Sequence, residues 1–119
     1  MENNEQIKLN IKQPIQFKAL ERVDIRIGKI ESVEKVDGSE RLYKLSVNFG
    51  TEQKTVVSAI ADKISQEDLL GKRMPFVMNL EPRKIFGILS EAMIVMAENS
   101  DKSLHPIFSI GAEPGSIIF

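Results

Sequence analysis

A two-residue alternation between residues 43 and 49 constrains the fold of this chain more than any other feature. The segment reads Tyr-Lys-Leu-Ser-Val-Asn-Phe, with an apolar residue at every second position. Successive side chains of a strand point to opposite faces, so this pattern predicts a β-strand with one buried face. Turn-forming residues flank it, Asp37-Gly38-Ser39 before and Gly50 after.

Four further segments show strand patterns of their own. They lie at residues 23–36, 54–60, 74–80 and 92–97, and the last is apolar enough to be buried on both faces. In the first segment Ile25 and Ile27 alternate with polar residues, but Ile30 has the opposite parity. A shift of one residue beside Gly28 predicts a β-bulge or a sharp bend there.

The remaining segments complete a small all-β domain. Residues 65–70 predict a short helix that Ser65 caps and Gly71 ends, and residues 81–90 are expected to form a loop. Five strands with a helix between the third and the fourth are the arrangement of an OB-fold barrel. We expect residues 1–13 to be a flexible N-terminal arm and residues 14–119 to form the barrel with a C-terminal extension.

The composition narrows the classes of function. A length of 119 residues fits one domain, and the absence of cysteine excludes disulfides and thiolate metal sites. No apolar run approaches the roughly 20 residues that span a bilayer, and the polar N-terminus is no secretory signal, so we expect a cytoplasmic protein. The net charge is −1, so any binding of nucleic acid must depend on a local basic surface.

Two segments carry a resemblance to a known family. They are Asp24-Ile-Arg-Ile-Gly-Lys-Ile30 and residues 79–93, which match the family pattern at Asn79, Leu80, Pro82, Lys84, Gly87, Ser90 and Met93. The chain resembles the tRNA-binding domain at the C-terminus of many methionyl-tRNA synthetases, which also occurs in free-standing tRNA-binding proteins and in the secretion chaperone CsaA. The resemblance covers Phe17 to the C-terminus and implies an OB-fold, tRNA as partner and a homodimer.

The chain departs from the family at one turn. Many members have His-Pro-x-Ala-Asp-Lys before Leu-Tyr, whereas this chain has Val36-Asp-Gly-Ser-Glu-Arg41. The basic residue is kept as Arg41, but the histidine and the proline are replaced. The altered turn leaves open how this part of the chain would contact RNA.

A local excess of basic residues supplies the first candidate site. Residues 72–86 contain four cations and one acid, a local charge of +3 in a chain of −1. Basic side chains neutralise the phosphates of nucleic acid, so this segment predicts a phosphate-binding surface, with ordinary solvent exposure as the alternative. These cations are Lys72, Arg73, Arg83 and Lys84, and Arg41 could extend the surface.

Polar residues around the 81–90 loop form the second candidate set. Asn79 and Ser90 can hydrogen-bond ribose or base edges, but both types also stabilise turns, so the two roles stay open. Glu91 follows Ser90 in the family motif. Met93 could pack beneath a base, although core packing is the more common role of such a methionine.

The aromatic content separates two kinds of RNA binder. The chain is 6% aromatic and has no tryptophan, and most of its phenylalanines fall at predicted strand or core positions. Proteins that bind single strands usually present several aromatic platforms, so the composition favours recognition of a folded RNA through phosphate and shape.

No catalytic or cofactor motif is found. The sequence has no phosphate loop, zinc motif or nucleophile elbow, and His105 is expected in a loop or an interface. We therefore expect a non-catalytic module without cofactor or metal that binds tRNA beside an aminoacyl-tRNA synthetase, with the apolar tail 106–119 forming a homodimer. The alternatives are a CsaA-like export chaperone for unfolded peptides, a purely structural partner of a synthetase and, least favoured, an enzyme.

Overall fold

The computed structural model describes residues 9–119. This part of the chain contains the helices α1 (Phe17–Glu21) and α2 (Gln66–Leu69). Its strands are β1 (Ile25–Lys35), β2 (Tyr43–Asn48), β3 (Gln53–Ser58), β4 (Arg73–Val77), β5 (Arg83–Ile85), β6 (Ile88–Ser90), β7 (Met93–Ile94), β8 (Met96–Glu98), β9 (Leu104–Pro106) and β10 (Ile117–Ile118).

The main sheet is antiparallel and curled. Its strand order is β3-β2-β1-β4-β7, and β10 pairs with the start of β1. Two separate hairpins, β5–β6 and β8–β9, follow β4. The order of the strands and the place of α2 between β3 and β4 confirm the predicted OB-type barrel. The predicted fifth strand is divided, because its segment contributes to both β7 and β8.

The alternation in residues 43–49 predicts the core correctly. Tyr43, Leu45, Val47 and Phe49 are all buried, whereas Lys44 is exposed. The rings of Phe49 and Phe76 meet edge to face with their centroids 5.3 Å apart. The Tyr43 hydroxyl donates a hydrogen bond to the carbonyl of Ile64 at 2.7 Å, and burial raises the pKa of this phenol.

Gly28 provides space in this core rather than a bulge. The register between β1 and β4 is continuous through Gly28, so no bulge lies at that residue. The register shift of β1 occurs in its pairing with β2, between Ile30 and Ser32. A Cβ at Gly28 would lie 2.5 Å from side-chain carbons of both Val47 and Phe49. The apolar residues change parity because both faces of β1 are covered. Ile30 packs in the core, whereas Ile27 lies on the opposite face, where it lines an apolar cavity together with residues of the C-terminal segment.

The segment 81–90 is a hairpin and not the loop that the sequence predicts. Arg83 pairs with Ser90 and Ile85 pairs with Ile88, which leaves Phe86 and Gly87 as a two-residue turn. Their φ angles are 54° and 82°, and positive values at both positions define a type I′ turn. This conformation costs a non-glycine residue about 1 kcal/mol, so phenylalanine gave no turn signal in the sequence.

The last apolar segment also differs from its prediction. Residues 92–97 were expected to be buried on both faces, but only Ala92 and Ile94 are buried, while Met93 and Ala97 are exposed. Beyond them, β8 pairs with β9 in a hairpin that contains His105 in register with Ala97. This short alternation was hidden in the sequence by a run of apolar residues.

The ends of the predicted elements show smaller differences. Ser65 is the N-cap residue of α2, but its side chain makes no capping hydrogen bond. The five-residue helix α1 was not predicted, since it is too short to show a period. Of the predicted N-terminal arm, residues 9–13 are exposed and without regular structure, and residues 1–8 lie outside the described part. Neither described helix has the length and apolar content needed to cross a membrane.

Candidate nucleic-acid interface

The β5–β6 hairpin carries two of the predicted basic residues, on opposite faces. Arg83 is in register with Ser90, and Lys84 is in register with Leu89. Neighbouring residues of a strand point to opposite sides, so Arg83 faces the barrel with Ser90 while Lys84 and Leu89 face away. Both basic side chains are exposed. The hairpin therefore offers positive charge on each of its faces rather than a paired clamp.

Ser90 and Glu91 close the barrel against β3. The Val57 N–H donates to Ser90 Oγ at 2.9 Å, and the Thr55 N–H donates to Glu91 Oε1 at 2.8 Å. The Glu91 N–H donates in turn to the carbonyl of Thr55 at 2.8 Å. Side-chain oxygens thus accept hydrogen bonds that a further strand would take, and they satisfy an edge that would otherwise be left unpaired.

This role restricts what Ser90 can offer to RNA. Its side chain is 6% exposed, and besides accepting from Val57 it donates to the carbonyl of Ala92 at 3.3 Å. Of the two roles that the sequence left open, contact with RNA and stabilisation of the local backbone, the structure supports the second. Glu91 is half-buried and lines a cavity, and one of its carboxylate oxygens accepts the hydrogen bond from Thr55.

Asn79 is likewise occupied by the backbone. Its Oδ1 accepts a hydrogen bond from the Asp24 N–H at 2.8 Å, and its Nδ2 donates to the Arg22 carbonyl at 2.6 Å. These two bonds hold the link between α1 and β1 against the end of β4. The amide is exposed but has its main donor and acceptor engaged, so positioning this link is its evident role.

Met93 lies at the surface, and the core role that the sequence favoured is wrong. Its side chain is 49% exposed, although its backbone pairs with Val77 of β4. The side chain lines a cavity of about 120 Å³ between β3 and the β5–β6 hairpin. The other side chains of this cavity include Val57, Ser58, Leu80, Arg83 and Glu91. The cavity is mainly apolar, with opposite charges at its wall.

The structure does not bring all four basic residues of segment 72–86 together. Lys72 and Arg73 stand at the start of β4 and Arg83 follows its end, so the length of the strand, roughly 13 Å, separates the two pairs. Arg73 donates from Nη1 to the Ala112 carbonyl at 2.9 Å, and Lys72 Nζ lies 5.4 Å from the centroid of the Phe108 ring. Both are thus engaged with the C-terminal segment.

Arg41 stands in the β1–β2 connection, the turn that departs from the family pattern. Its side chain is 67% exposed, and its Nε lies 3.6 Å from an Asp62 carboxylate oxygen. An exposed ion pair of this kind is weak, so it leaves the side chain available for a phosphate.

Exposed aromatic rings are the feature that the sequence interpretation missed. Only Phe49 and Phe76 are buried; the other four of the six phenylalanines are exposed. Phe86 at the tip of the β5–β6 hairpin is 61% exposed, and its ring lies next to Gly38 of the β1–β2 connection, where an added Cβ would be 3.3 Å from it. The expectation that most phenylalanines lie at strand or core positions is wrong, because the local sequence pattern cannot show which face a short hairpin turns outward.

Among residues 9–119 no group of acidic and histidine side chains is arranged to hold a metal ion.

Comparison with known sequences identifies relatives of the barrel. A family model described as a putative tRNA binding domain matches residues 25–116. The methionine–tRNA ligase of Bacteroides fragilis is 42% identical over 94 residues, which are 79% of this chain and 14% of the ligase. That of Archaeoglobus fulgidus is 37% identical over 109 residues, 92% of this chain and 17% of the ligase. The chain therefore spans less than a fifth of the length of these curated relatives.

Solved structures with the same fold include two classes of protein. A MetRS-related protein from Pyrococcus horikoshii has a TM-score of 0.87 at 31% identity, over 91% of this chain and 100% of that chain. The CsaA chaperone protein from Picrophilus torridus has a TM-score of 0.80 at 27% identity, over 89% of this chain and 100% of that chain.

Proposed function

The chain belongs to the family of tRNA-binding domains, and on that premise we propose that it is a non-catalytic module that binds folded tRNA through phosphates and shape. The observation that carries this proposal is the family match over residues 25–116, which includes the barrel and the basic hairpin. The module would bind tRNAs in the cytoplasm with little sequence preference, because phosphate contacts carry no sequence information.

The position of the basic hairpin supports this proposal. In OB-folds, oligonucleotides bind at the connections between strands one and two and between strands four and five. In this chain those connections are residues 36–42, with Arg41, and the β5–β6 hairpin, with Arg83 and Lys84. The ring of Phe86 on the hairpin lies next to Gly38 of the other connection. Three exposed cations thus lie on the two connections that form the usual ligand face.

We further propose that the module acts in trans with an aminoacyl-tRNA synthetase of the methionyl type. The relatives quoted above are methionine–tRNA ligases, in which the matched segment is a small part of the whole. A chain of the same extent also exists as the MetRS-related protein of Pyrococcus horikoshii, all of which this chain matches in structure. A binding domain of this size can raise the local concentration of tRNA near a catalytic partner.

A homodimer through the C-terminal end is the third part of the proposal. The pairing of β10 with β1 places the C-terminus beside α1, where an apolar groove has Glu21 as the one charged side chain that residues 9–119 contribute. Phe17 is 71% exposed and Phe119 is fully exposed. A two-fold axis here would let Phe119 of each copy cover the groove of the other, which suits a self-complementary interface. A dimer would also double the basic surface.

A CsaA-like chaperone for unfolded peptides is the second candidate. The structural likeness to the CsaA chaperone protein of Picrophilus torridus favours it, and the same apolar groove could take an extended peptide. The two candidates differ in their dependence on salt. Peptide capture by an apolar groove persists as salt rises, whereas phosphate binding weakens.

Fluorescence anisotropy of labelled tRNA with single alanine variants tests the main proposal. We expect Arg83→Ala and Lys84→Ala each to weaken binding and to make the salt dependence shallower, by roughly one unit of log–log slope for each phosphate that is no longer neutralised. Lys102→Ala is the control, since it removes an exposed cation from the β8–β9 hairpin. Equal effects of all three substitutions would show that only net charge matters and would remove the assignment to this hairpin.

A further inference from the structure

We infer that the ring of Phe86 is a stacking platform for one unpaired nucleobase of the bound tRNA, an inference that rests on the proposed function. Three features of this side chain lead to it: its exposure, its fixed position and the charges around it. None of the residues assigned to the interface from the sequence has an aromatic ring.

The exposure of Phe86 is unusual for its backbone. The side chain is 61% exposed and φ is 54°, a conformation that asparagine or glycine would adopt with less strain. Neither burial nor turn formation therefore explains a phenylalanine at this place. Residues with a strained backbone conformation are concentrated at binding and active sites, so we expect the ring to contact a ligand.

The ring is held in place from both sides of the interface. Below it, the β5–β6 ladder fixes the turn, and Ser90 at the end of that ladder is anchored to Val57. Beside it, a methyl group at Gly38 would lie 3.3 Å from Phe86 Cε2, so the β1–β2 connection limits the movement of the ring on that side. A ring with little freedom to lose is well suited to stacking.

The charges around Phe86 direct an RNA strand across it. Arg83 and Lys84 lie three and two residues before the ring on the same hairpin, whereas the β1–β2 connection on its other side combines Arg41 with the acids Asp37 and Glu40. Phosphates are therefore attracted more strongly to the hairpin than to that connection, where Arg41 is the one cation. A backbone held along the hairpin would bring an unstacked base over the ring, the manner in which proteins recognise the open loops of structured RNA.

Two substitutions with opposite effects on the turn test this inference in the full chain. Phe86→Asn creates an Asn-Gly type I′ turn, so the thermal midpoint should be unchanged or higher, while affinity for tRNA should fall on the order of tenfold. The slope of affinity against salt should not change, because stacking of a base on an uncharged ring involves no release of counterions. Phe86→Tyr should keep the wild-type affinity.

The same position offers a direct spectroscopic reading, since the chain contains no tryptophan. Phe86→Trp places the only indole on the proposed platform, and its fluorescence should be strongly quenched when tRNA binds. Leu89→Trp is the matched control, because Leu89 is 47% exposed beside Lys84 on the same hairpin, where contact with phosphates would stack no base on the indole. Strong quenching at position 86 and weak quenching at position 89 support the inference.

The outcomes separate this inference from the proposed function. If the wild-type protein binds tRNA and Phe86→Asn binds it equally well, the platform is refuted and the tRNA-binding module stands. Equal quenching at positions 86 and 89 leads to the same conclusion. If the wild-type protein does not bind tRNA at low salt, both the proposed function and the platform fall.

Discussion

Replacing Ser90 by alanine tests whether this side chain closes the barrel. The change removes a hydroxyl that is 6% exposed, accepts from the Val57 N–H at 2.9 Å and donates to the Ala92 carbonyl at 3.3 Å. Val57 is itself buried, with 5% exposure. Both residues line the small cavity between β3 and the β5–β6 hairpin, so a water there is the one acceptor left to the Val57 N–H.

The expected loss of stability follows from these two bonds. A buried donor left without an acceptor costs about 1–3 kcal/mol, and the longer bond to Ala92 adds little, so we expect a loss of about 2 kcal/mol. For a domain of this length, 1 kcal/mol corresponds to roughly 3–5 °C in the thermal midpoint. Ser90→Ala should therefore lower the midpoint by about 6–10 °C.

Urea unfolding and thermal melting, both at one fixed protein concentration, measure this loss. Ser46→Ala is the control, because the Ser46 hydroxyl makes an exposed hydrogen bond to Gln53 and its removal should change stability by less than about 0.5 kcal/mol. Below its own melting range, the Ser90 variant should bind tRNA as the wild type does. Equal stability of the two serine variants would refute the closure role, and normal stability without tRNA binding would restore Ser90 as an RNA contact.

Three further predictions follow from the fold. Gly28→Ala should lower the free energy of unfolding in urea by about 1–3 kcal/mol, because the new methyl group overpacks the core. Gly111→Ala is the control, since its new methyl group meets no atom within 4 Å and should leave stability nearly unchanged. Similar losses for the two variants would contradict this description of the core. Hydrogen bonds from Gln53 and Asn48 lower the pKa of Glu31 in the folded state below its usual 4.5. The contribution of Glu31 to the free energy of unfolding is therefore present above pH 4.5 and is lost as the pH falls through the lowered pKa. Glu31→Gln should make the urea midpoint fall less between about pH 5 and pH 3. Phe119→Asp should give a folded monomer by light scattering. Removal of the last three residues should give a monomer or an aggregate. An unchanged dimer in either case would refute the C-terminal interface.

The parts of the fold that the sequence predicts are those with one buried face. The alternation at 43–49 predicts β2 and its core residues because every second side chain enters the barrel. Alternation does not predict β1 correctly, because Ile27 is buried on the outer face of this strand. The apolar residues therefore change parity in the sequence without a change of register at that place. Alternation fails again at Phe86, where a residue that disfavours left-handed φ forms the turn of an unpredicted hairpin.

The candidate site is only partly visible from sequence for a different reason. Neighbourhood along the chain suggested one basic cluster, but the length of β4 separates Lys72 from Lys84. The occupied state of Ser90 depends on Val57, 33 residues away, and no local pattern reports such a contact. The family motif selects residues 79–93 as a candidate segment, yet it could not distinguish side chains that bond to the backbone, such as those of Asn79 and Ser90, from side chains that are free to face a ligand.

The most direct test of the central claim is the affinity of the wild-type protein for folded tRNA. Anisotropy titrations should compare a labelled tRNA with an unstructured RNA of the same length and charge, at about 50 mM and 200 mM salt. We predict tighter binding to the folded tRNA at both concentrations and a clear weakening of binding as salt rises. Equal affinity for the two RNAs, or no binding at the lower salt concentration, would contradict a module that recognises folded tRNA.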